Sequence, residues 1–299
     1  MKHKRLEAML WGAFYGDAYA LGTHWIYDTD QIKNANLDFS ACQDPISSYH
    51  PTKKSGDFTH YGDQMFWLLE NIAEEKKFSL VSFGETWNKY MQNYTGYMDG
   101  ASKHTFDKLE NSSNYLACGS SSSDLSVISR MFPIIFKHHG SLLELQESIK
   151  LHTIFTHMNK DLLDAAAFFS EVMIAVLNGA DLSATINESS KHFGVNIQEW
   201  TLQAREALPL NPDEAIRKLG QSCSVNGGFA STIYLLLKYQ NDFALALKEN
   251  VMAGGDSAAR GMIVGAVLGA INYDKVLHGA YINQINKHSE IKNLIKELL

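Results

Sequence analysis

The sequence contains little cysteine and little proline, and it contains no long apolar run. Its three cysteines lie far apart among 299 residues, which is typical of reduced thiols rather than of a disulfide framework or a zinc site. Five prolines leave room for long helices. No stretch reaches the ~18 apolar residues of a membrane span, and Glu7, Asp17 and the early glycines interrupt any signal-type apolar core. We therefore expect a cytoplasmic protein with no membrane partner.

Positive charge is also scarce. The 26 Lys and Arg residues against 33 Asp and Glu residues give a net charge of -7, which disfavours nucleic acid as the main partner. The length permits one large domain or two small ones. Because no low-complexity linker interrupts the chain, we predict a single domain over residues 1–299. No alternating run long enough for a strand is present, and the predicted class is all-α.

A glycine-rich stretch at 253–270 is the most distinctive part of the chain. Gly254-Gly255 indicates the end of the preceding helix, and Asp256 is a good N-cap for the apolar helix that follows. Each glycine inside a helix costs about 1 kcal/mol relative to alanine, so the repeated use of small residues indicates that another backbone comes close. The small residues recur at every fourth position, at Ser257, Gly261, Gly265 and Gly269.

The first predicted helix, residues 4–22, carries a matching ridge. Its small residues also recur at every fourth position, at Ala8, Gly12, Gly16 and Ala20. Small side chains lower the ridge of a helix and let a second helix approach. We predict that these two helices pack closely against each other.

Acidic and ring-bearing residues follow this first ridge. Asp17 is either an exposed or capping residue or part of a site. The run from His24 through Trp25 to Tyr27 is either a packed aromatic anchor, with Asp28 as the next N-cap, or a stacking surface for a base or sugar. In the second interpretation His24 supplies a polar contact.

Residues 29–57 are rich in polar side chains and are predicted to form a long irregular loop, which suggests a lid over a site. Asp63 falls in the first turn of the next helix. Its carboxylate either interacts favourably with the helix dipole or belongs to a functional site. The pattern Ser82-x-x-Glu85 predicts a capping box for a third helix.

Three further polar residues are candidates for ligand binding. Asp124 ends a serine run, 118–124, at a helix start where backbone N–H groups could hold a phosphate, although its own carboxylate opposes an anion. Arg130 lies within an apolar segment and requires an acidic partner if it is buried. His157 precedes an alanine-rich helix and either caps it or binds a ligand.

Four motifs in this order resemble the ADP-ribosylglycohydrolase family, whose fold is all-α. Thr156-His157 adds a fifth and weaker match. Together the motifs span nearly the whole chain. They are Gly12-Ala13-Phe14-Tyr15-Gly16-Asp17-Ala18, Tyr61-Gly62-Asp63-Gln64, Ser129-Arg130-Met131-Phe132-Pro133 and Gly254-Gly255-Asp256-Ser257 leading to Gly265-Ala266.

The resemblance implies a pocket for two Mg²⁺ ions held by a Thr-Asp-Asp and an Asp-x-Asp-Thr motif, but this sequence departs from both. The first motif reads Tyr61-Gly62-Asp63, and the second keeps Asp256 but has Ala258 and Ala259. The acidic residue that the family carries after the first helix is His24 here. Only Asp63 and Asp256 carry over as metal ligands, so we expect at most one weakly held Mg²⁺. Restoring the lost side chains should raise Mg²⁺ affinity if the geometry is kept.

Arg260 lies about one turn into the glycine-rich helix. We hypothesise that its guanidinium replaces the charge of the metal and pairs with Asp63, with Asp256 or with both. The alternative is that Arg260 points outward to a surface acid.

The resemblance leaves two functions open. In the first, the protein is a hydrolase of a glycosidic bond to ribose in an ADP-ribose-like or ADP-ribosylated small molecule, by a route other than the two-metal one. Asp63 or Asp256 then orients water, and Asp17 or His24 carries the proton. In the second, the protein is an inactive ligand-binding or structural member, as in the family's lens crystallin-like branch. The predicted ligand contacts are Trp25, Tyr27, Asp124, Arg130, His157, Gly254, Gly255, Ser257 and Arg260.

Overall fold

The computed structural model describes residues 1–299, and its regular elements are all helices. Strand-like pairing is limited to three isolated bridges, so the all-α prediction is confirmed. Short 3₁₀ turns lie at Leu21–Thr23 and Ile282–Gln284. The helices are α1 (Lys2–Ala20), α2 (Thr29–Asn34), α3 (His60–Glu75), α4 (Leu80–Met91), α5 (Gly100–Leu109), α6 (Ser126–Ser129), α7 (Phe132–His138), α8 (Leu142–Thr156), α9 (Lys160–Leu177), α10 (Leu182–Ser190), α11 (Val195–Glu206), α12 (Pro212–Leu219), α13 (Val225–Lys238), α14 (Phe243–Met252), α15 (Ser257–Ile271), α16 (Tyr273–His278) and α17 (His288–Leu298).

The two glycine ridges meet as predicted, and α1 and α15 form the centre of the fold. A β-carbon added at Gly12 would overlap the carbonyl oxygen of Gly265, and one added at Gly261 would lie 2.8 Å from the carbonyl oxygen of Gly16. Every residue of α15 from Ser257 to Ala270 is buried. The remaining helices pack around this pair, and one hydrophobic core of 81 buried residues joins them. None of the helices combines the length and apolar character that a membrane span requires.

Short polar side chains begin many of the helices by accepting hydrogen bonds from the first free N–H groups. Asp28 caps α2, as one interpretation of its segment predicted, and Asp256 caps α15. The predicted capping box at Ser82 is wrong: α4 begins one turn earlier, with Ser79 as its cap. The earlier start places Leu80 on the buried face of this helix.

The loop predicted for residues 29–57 is irregular only in part. Its first residues form α2, and the irregular segment runs over residues 35–59. Backbone bonds hold this segment to the body, from Ile46 N–H to the Gly22 carbonyl at 3.0 Å and from Asn286 N–H to the Gly56 carbonyl at 2.9 Å. The segment therefore lies anchored over the end of α1.

The Gly12→Ala substitution should lower the free energy of unfolding by about 1–3 kcal/mol, because its methyl group has to displace a backbone carbonyl in a packed core. The matched control is Gly100→Ala, where an added β-carbon has no neighbour within 4 Å. That control should be neutral or stabilise by up to about 1 kcal/mol through helix propensity. Urea unfolding midpoints measure both variants, and equal midpoints would show that the two helix backbones are not in contact.

Candidate active site

Three turns converge at the N-terminus of α15. The first follows α1, the second contains Gly254 and Gly255, and the third joins α12 to α13. Trp25 N–H donates to the Gly255 carbonyl at 2.9 Å, and Asp256 N–H donates to the Gln221 carbonyl at 2.8 Å. Gly254 and Gly255 have positive φ angles of 69° and 75°, which glycine adopts without strain.

Trp25 also has a positive φ, at 64°, which is rare for a bulky residue. Its ring stacks on His24, with centroids 4.3 Å apart, and Tyr49 and Tyr97 meet the same ring edge-on. Tyr27 points outward and is 49% exposed. Trp25 is thus packed among other rings, as the anchor interpretation predicted, and the stacking of a base or sugar on this run stays a prediction.

Asp256 is buried and surrounded by donors. Its Oδ1 lies 3.0 Å from His24 Nε2 and accepts from Ala259 N–H at 3.2 Å, while its Oδ2 accepts from the Tyr61 hydroxyl at 3.2 Å. Burial would raise the pKa of Asp256, but the hydrogen bond and charge of His24 outweigh it and hold the pKa below its usual value. His24 Nδ1 in turn lies 2.8 Å from Nε2 of His50, on the irregular segment.

A second carboxylate, Asp124, lies beside Asp256. One ligand atom each from Asp124, Cys223 and Asp256 fall within 4.8 Å of one another. Burial, followed by the charge of Asp256, raises the pKa of Asp124 to about 8. Burial likewise raises the pKa of the Cys223 thiol to about 12. Asp124 therefore holds a proton at neutral pH while Asp256 remains ionised.

Asp63 lies outside this group. Its carboxylate binds the ammonium of Lys53 and accepts from the Tyr94 hydroxyl at 2.6 Å, and it lines a cavity of about 170 Å³ that Lys287 also lines. Burial raises the pKa of Asp63, although the Lys53 charge opposes the shift. Asp63 and Asp256 thus have separate neutralising partners.

The residues present do not fit the Mg²⁺ pair that the resemblance implies. The side chains of Ala258 and Ala259 are buried and offer no oxygen, and the remaining acids are taken up by Lys53 and His24. The group of three that contains Asp256 includes a thiol, and thiolates favour softer ions than Mg²⁺.

Asp17 fills the space of the carboxylate that the first motif lacks. It accepts from the N–H and the hydroxyl of Thr59 at 2.7 and 2.6 Å. A β-carbon added at Gly62 would overlap an oxygen of Asp17 and lie 2.9 Å from Cβ of Phe58. An aspartate at position 62 would therefore require Asp17 or Phe58 to shift, and the gain in Mg²⁺ affinity expected if the geometry is kept stays a prediction.

The hypothesis that Arg260 pairs with Asp63 or Asp256 is also wrong. The guanidinium is 1% exposed, so the alternative of a surface acid fails too. It donates to the Gly254 carbonyl at 2.5 Å, the Gln221 carbonyl at 3.2 Å and the side chain of Asn250 at 3.1 Å. Arg260 holds the turn before Asp256 in place, and its charge acts on Asp256 only at longer range. The hydroxyl of Ser257 is buried beside this turn without a hydrogen-bond partner.

Arg130 and His157 form a neighbouring buried cluster. Arg130 does not have the acidic partner that was expected; it donates to the side-chain oxygens of Gln64 and, at 3.0 Å, of Thr156. His157 Nδ1 lies 2.8 Å from the same Thr156 hydroxyl. Burial, followed by the nearby Arg130 charge, lowers the pKa of His157 to about 3. The cluster lies next to the isolated backbone bridge between His157 and Ser120.

Sequence reasoning missed four side chains of the site. They come from segments far apart in the chain, and no local pattern marks them. A sequence search for thiols next to predicted helix starts would have found Cys223, but nothing in the sequence points to the others. The missed residues are His50, Tyr61 as a donor to Asp256, Tyr97 and Cys223.

The Gly62→Ala substitution should destabilise the protein by about 1–3 kcal/mol through overpacking against Asp17. In the Asp17→Ala background the same change should cost less, because the overlapping oxygen is absent. Urea unfolding of the four proteins of this double-mutant cycle gives the coupling, expected at about 0.5–3 kcal/mol. Strict additivity would show that Asp17 does not fill the space above Gly62.

The Asp17→Asn variant tests the proton on Asp17. Burial raises the pKa of Asp17 to about 7, above its value of about 3.9 in the unfolded chain. The wild type therefore loses stability as pH rises between these two values, by at most about 1.4 kcal/mol per pH unit. The amide does not titrate, so the variant should gain on the wild type as pH rises from about 3.9 to about 7, and the difference should level off above about 7. A difference in unfolding free energy that is constant with pH would contradict this assignment.

Comparison with known proteins identifies the family. The family model described as ADP-ribosylglycohydrolase matches residues 1–299. Crystallin J1B of Tripedalia cystophora is 22% identical and covers 99% of this chain and 96% of its own length; crystallin J1A of the same organism is 21% identical and covers 98% and 96%. An uncharacterized protein of Archaeoglobus fulgidus is 22% identical over 87% of this chain and 85% of its own.

A solved structure described as an ADP-ribosylglycohydrolase-related protein complex has the same fold. It superposes with a TM-score of 0.73 at 15% identity, covering 99% of this chain and 97% of that one. The match of the family model extends over the glycine ridges, both degenerate metal motifs and the turns that meet at Asp256. The chain therefore belongs to the ADP-ribosylglycohydrolase family.

Proposed function

We propose that this protein is a glycosidase that cleaves a bond to ribose in an ADP-ribose-like ligand without the two Mg²⁺ ions of its family. The observation that carries the proposal is the pair Asp124 and Asp256. Their side chains fall within one group of 4.8 Å span, and their pKa values are displaced in opposite directions. Two carboxyl groups whose environments separate their pKa values are the arrangement that glycoside cleavage uses.

Asp124 is the general acid in this proposal. Its pKa of about 8 keeps it protonated at neutral pH, so it can donate a proton to the leaving group as the bond to the anomeric carbon breaks. Asp256 stays ionised and stabilises the positive charge that develops on the ribose ring. Water then adds to the anomeric carbon and returns a proton to Asp124. The short separation of the two groups fits a retaining reaction better than an inverting one, which needs about 6.5–9.5 Å.

The aromatic rings at the surface of the site bind the ligand in this proposal. Tyr27 is half exposed, and burial of the rest of the side chain, followed by the charge of Asp256, raises its pKa to about 12. Tyr97 and Trp25 lie against each other at 4.8 Å between centroids. Exposed aromatic faces stack on bases and sugars. The ligand class is therefore a small nucleotide-like molecule or an ADP-ribosylated group.

The test is release of ADP-ribose from a panel of ADP-ribosylated peptides and ADP-ribose conjugates, in excess chelator. The wild type should be active, and Asp124→Asn should lose about 10²-fold or more of kcat/KM because the acid is gone. The amide oxygen can still cap Ser126 N–H, which Asp124 accepts at 2.9 Å. Activity of the wild type should fall as pH rises through about 8, since the folded-state pKa is raised to about 8 and the acid must be protonated.

The control is Asp107→Asn, a change of an exposed carboxylate, which should leave the rate unchanged. Activity that chelator abolishes, or an Asp124→Asn variant as fast as the wild type, would overturn the assignment of the acid.

A second function, a ligand-holding or structural role, is favoured by the closure of the site. Asp256 is 1% exposed and His24 is fully buried, and the chain resembles two crystallins over nearly its whole length. Absence of hydrolysis over the whole panel, with ADP-ribose still raising the unfolding temperature, would support this role.

A further inference from the structure

The turn that carries Cys223 is fixed on both sides by backbone hydrogen bonds. On one side the Cys223 carbonyl accepts from Leu125 N–H, next to Asp124, at 2.8 Å. On the other side the Gln221 carbonyl accepts from Asp256 N–H, also at 2.8 Å. Because these bonds join the three backbones, the thiol and the two carboxyl groups are held together before any ligand binds.

The three side chains bring one soft and two hard donor atoms together. The Cys223 sulfur and one carboxyl oxygen each from Asp124 and Asp256 fall within 4.8 Å of one another. Ligand atoms of a tetrahedral Zn²⁺ lie at about 2.0–2.3 Å from the ion, and therefore about 3.3–3.6 Å from one another. The observed span exceeds that of a bound set by at most about 1.5 Å. Rotation of the Cys223 side chain, which is only partly buried, covers this distance.

Both carboxyl groups keep a position that is free for an ion. An ionised carboxylate has about four acceptor positions, and Asp256 uses three of them, for His24, Ala259 and Tyr61. Asp124 accepts at Oδ1 from one backbone N–H, which leaves its Oδ2 open. The contacts to Asp256 also fix its orientation, which is how outer-shell partners act at metal centres.

A buried hydroxyl without a hydrogen-bond partner lies beside the same atoms. Ser126 is 1% exposed, and its Oγ has no partner. Its own N–H donates to Asp124 Oδ1 at 2.9 Å, which places the hydroxyl next to that carboxyl group. A buried polar group that has no protein partner is typically met by a bound water or ion. A water molecule on an ion held by Asp124 would supply that partner.

The donor set favours a thiophilic divalent cation over Mg²⁺. Mg²⁺ requires oxygen ligands in a near-octahedral arrangement, and the group offers two carboxyl groups and a thiol. Zn²⁺ binds thiolate and carboxylate together, and it is stable with three protein ligands and a water molecule. One thiolate and two carboxylates carry three negative charges against the two positive charges of the ion. The thiol and any protonated carboxyl group release their protons to solvent when the ion binds.

We infer that Asp124, Cys223 and Asp256 form a binding site for one thiophilic divalent cation of the Zn²⁺ class, and that this cation inhibits the protein. The inhibition rests on the proposed function, whereas the binding does not. An ion on Asp124 takes the place of the proton that this group has to donate to the leaving group. The loaded site therefore has no general acid.

The first test titrates the wild-type protein with Co²⁺ in the absence of oxygen and with a phosphine reductant. Co²⁺ bound to a thiolate has an intense near-ultraviolet charge-transfer band, which Co²⁺ bound only to imidazole or carboxylate lacks. We expect one equivalent per chain to develop this band, Zn²⁺ to abolish it, and excess Mg²⁺ to leave it unchanged. A titration without the band, or displacement of the ion by Mg²⁺, would overturn the inference whether or not the protein hydrolyses any substrate.

Two variants and a matched control locate the ion. Cys223→Ser should lose the band and weaken Zn²⁺ binding at least about 10²-fold, since even outer-shell partners contribute about 10- to 100-fold. Asp124→Asn should weaken Zn²⁺ binding by a similar factor and keep the band at saturating Co²⁺. The control is Cys118→Ser, whose hydroxyl preserves the bond that the thiol donates to the Phe155 carbonyl at 3.2 Å. A band that persists in Cys223→Ser, or one that disappears in Cys118→Ser, would contradict the site.

The third test measures hydrolysis, where the chelator-treated wild type shows it. One equivalent of Zn²⁺ per chain should abolish the rate, and chelator should restore it. Relative to its own metal-free rate, Cys223→Ser should need at least about 10²-fold more Zn²⁺ for the same inhibition. A thiolate-bound ion that leaves the rate unchanged would confirm the ion site and contradict its inhibitory role. If no hydrolysis is found, the proposed function fails, while the Co²⁺ spectra still decide the metal site.

Discussion

The backbone contact between α1 and α15 is the constraint on which the rest of the structure depends. Gly12 and Gly16 face Gly265 and Gly261 so closely that no side chain fits between them. The two helices therefore act as one rigid unit, and the residues at their adjacent ends have fixed positions. Asp256 caps one helix and His24 follows the other, and their hydrogen bond is a product of this contact.

The contact also explains why the site is polar yet closed. Helix ends leave free N–H groups that need acceptors, and here Asp256 supplies one for Ala259. The turn before α15 presents carbonyl oxygens inward because its glycines have positive φ angles, and those oxygens need a donor. Arg260 is that donor. The guanidinium stabilises backbone where sequence reasoning had placed it against acids.

Local patterns predicted the fold well and the site in part. The four-residue spacing of small side chains and the N-cap at Asp256 are properties of one helix, so they can be read from a short stretch of sequence. The partners of Asp256 are not local. His24 was found because the family resemblance marked its position, whereas His50 and Cys223 reach the site only through the path of segment 35–59 and of the turn before α13. Asp63 was placed in the same site as Asp256 because of the family resemblance. In the structure Asp63 instead binds Lys53, which lies three residues after His50, so the two acids have different partners.

Four buried acids near the site are accommodated in two ways. Asp63 has the ammonium of Lys53, and Asp256 has His24 and Tyr61. Asp17 and Asp124 instead have raised pKa values, of about 7 and about 8. Whether a carboxyl group stays ionised or holds a proton follows from the number of hydrogen-bond donors around it.

Adjacent carboxylates cannot both stay ionised at low cost. In the pair near α15, Asp256 accepts from a ring nitrogen, a hydroxyl and a backbone N–H, whereas Asp124 accepts at Oδ1 from the Ser126 N–H. The proton therefore settles on Asp124. The degenerate metal motifs thus leave a protonated carboxyl group beside an ionised one, and the degeneracy of these motifs does not by itself imply the loss of chemistry.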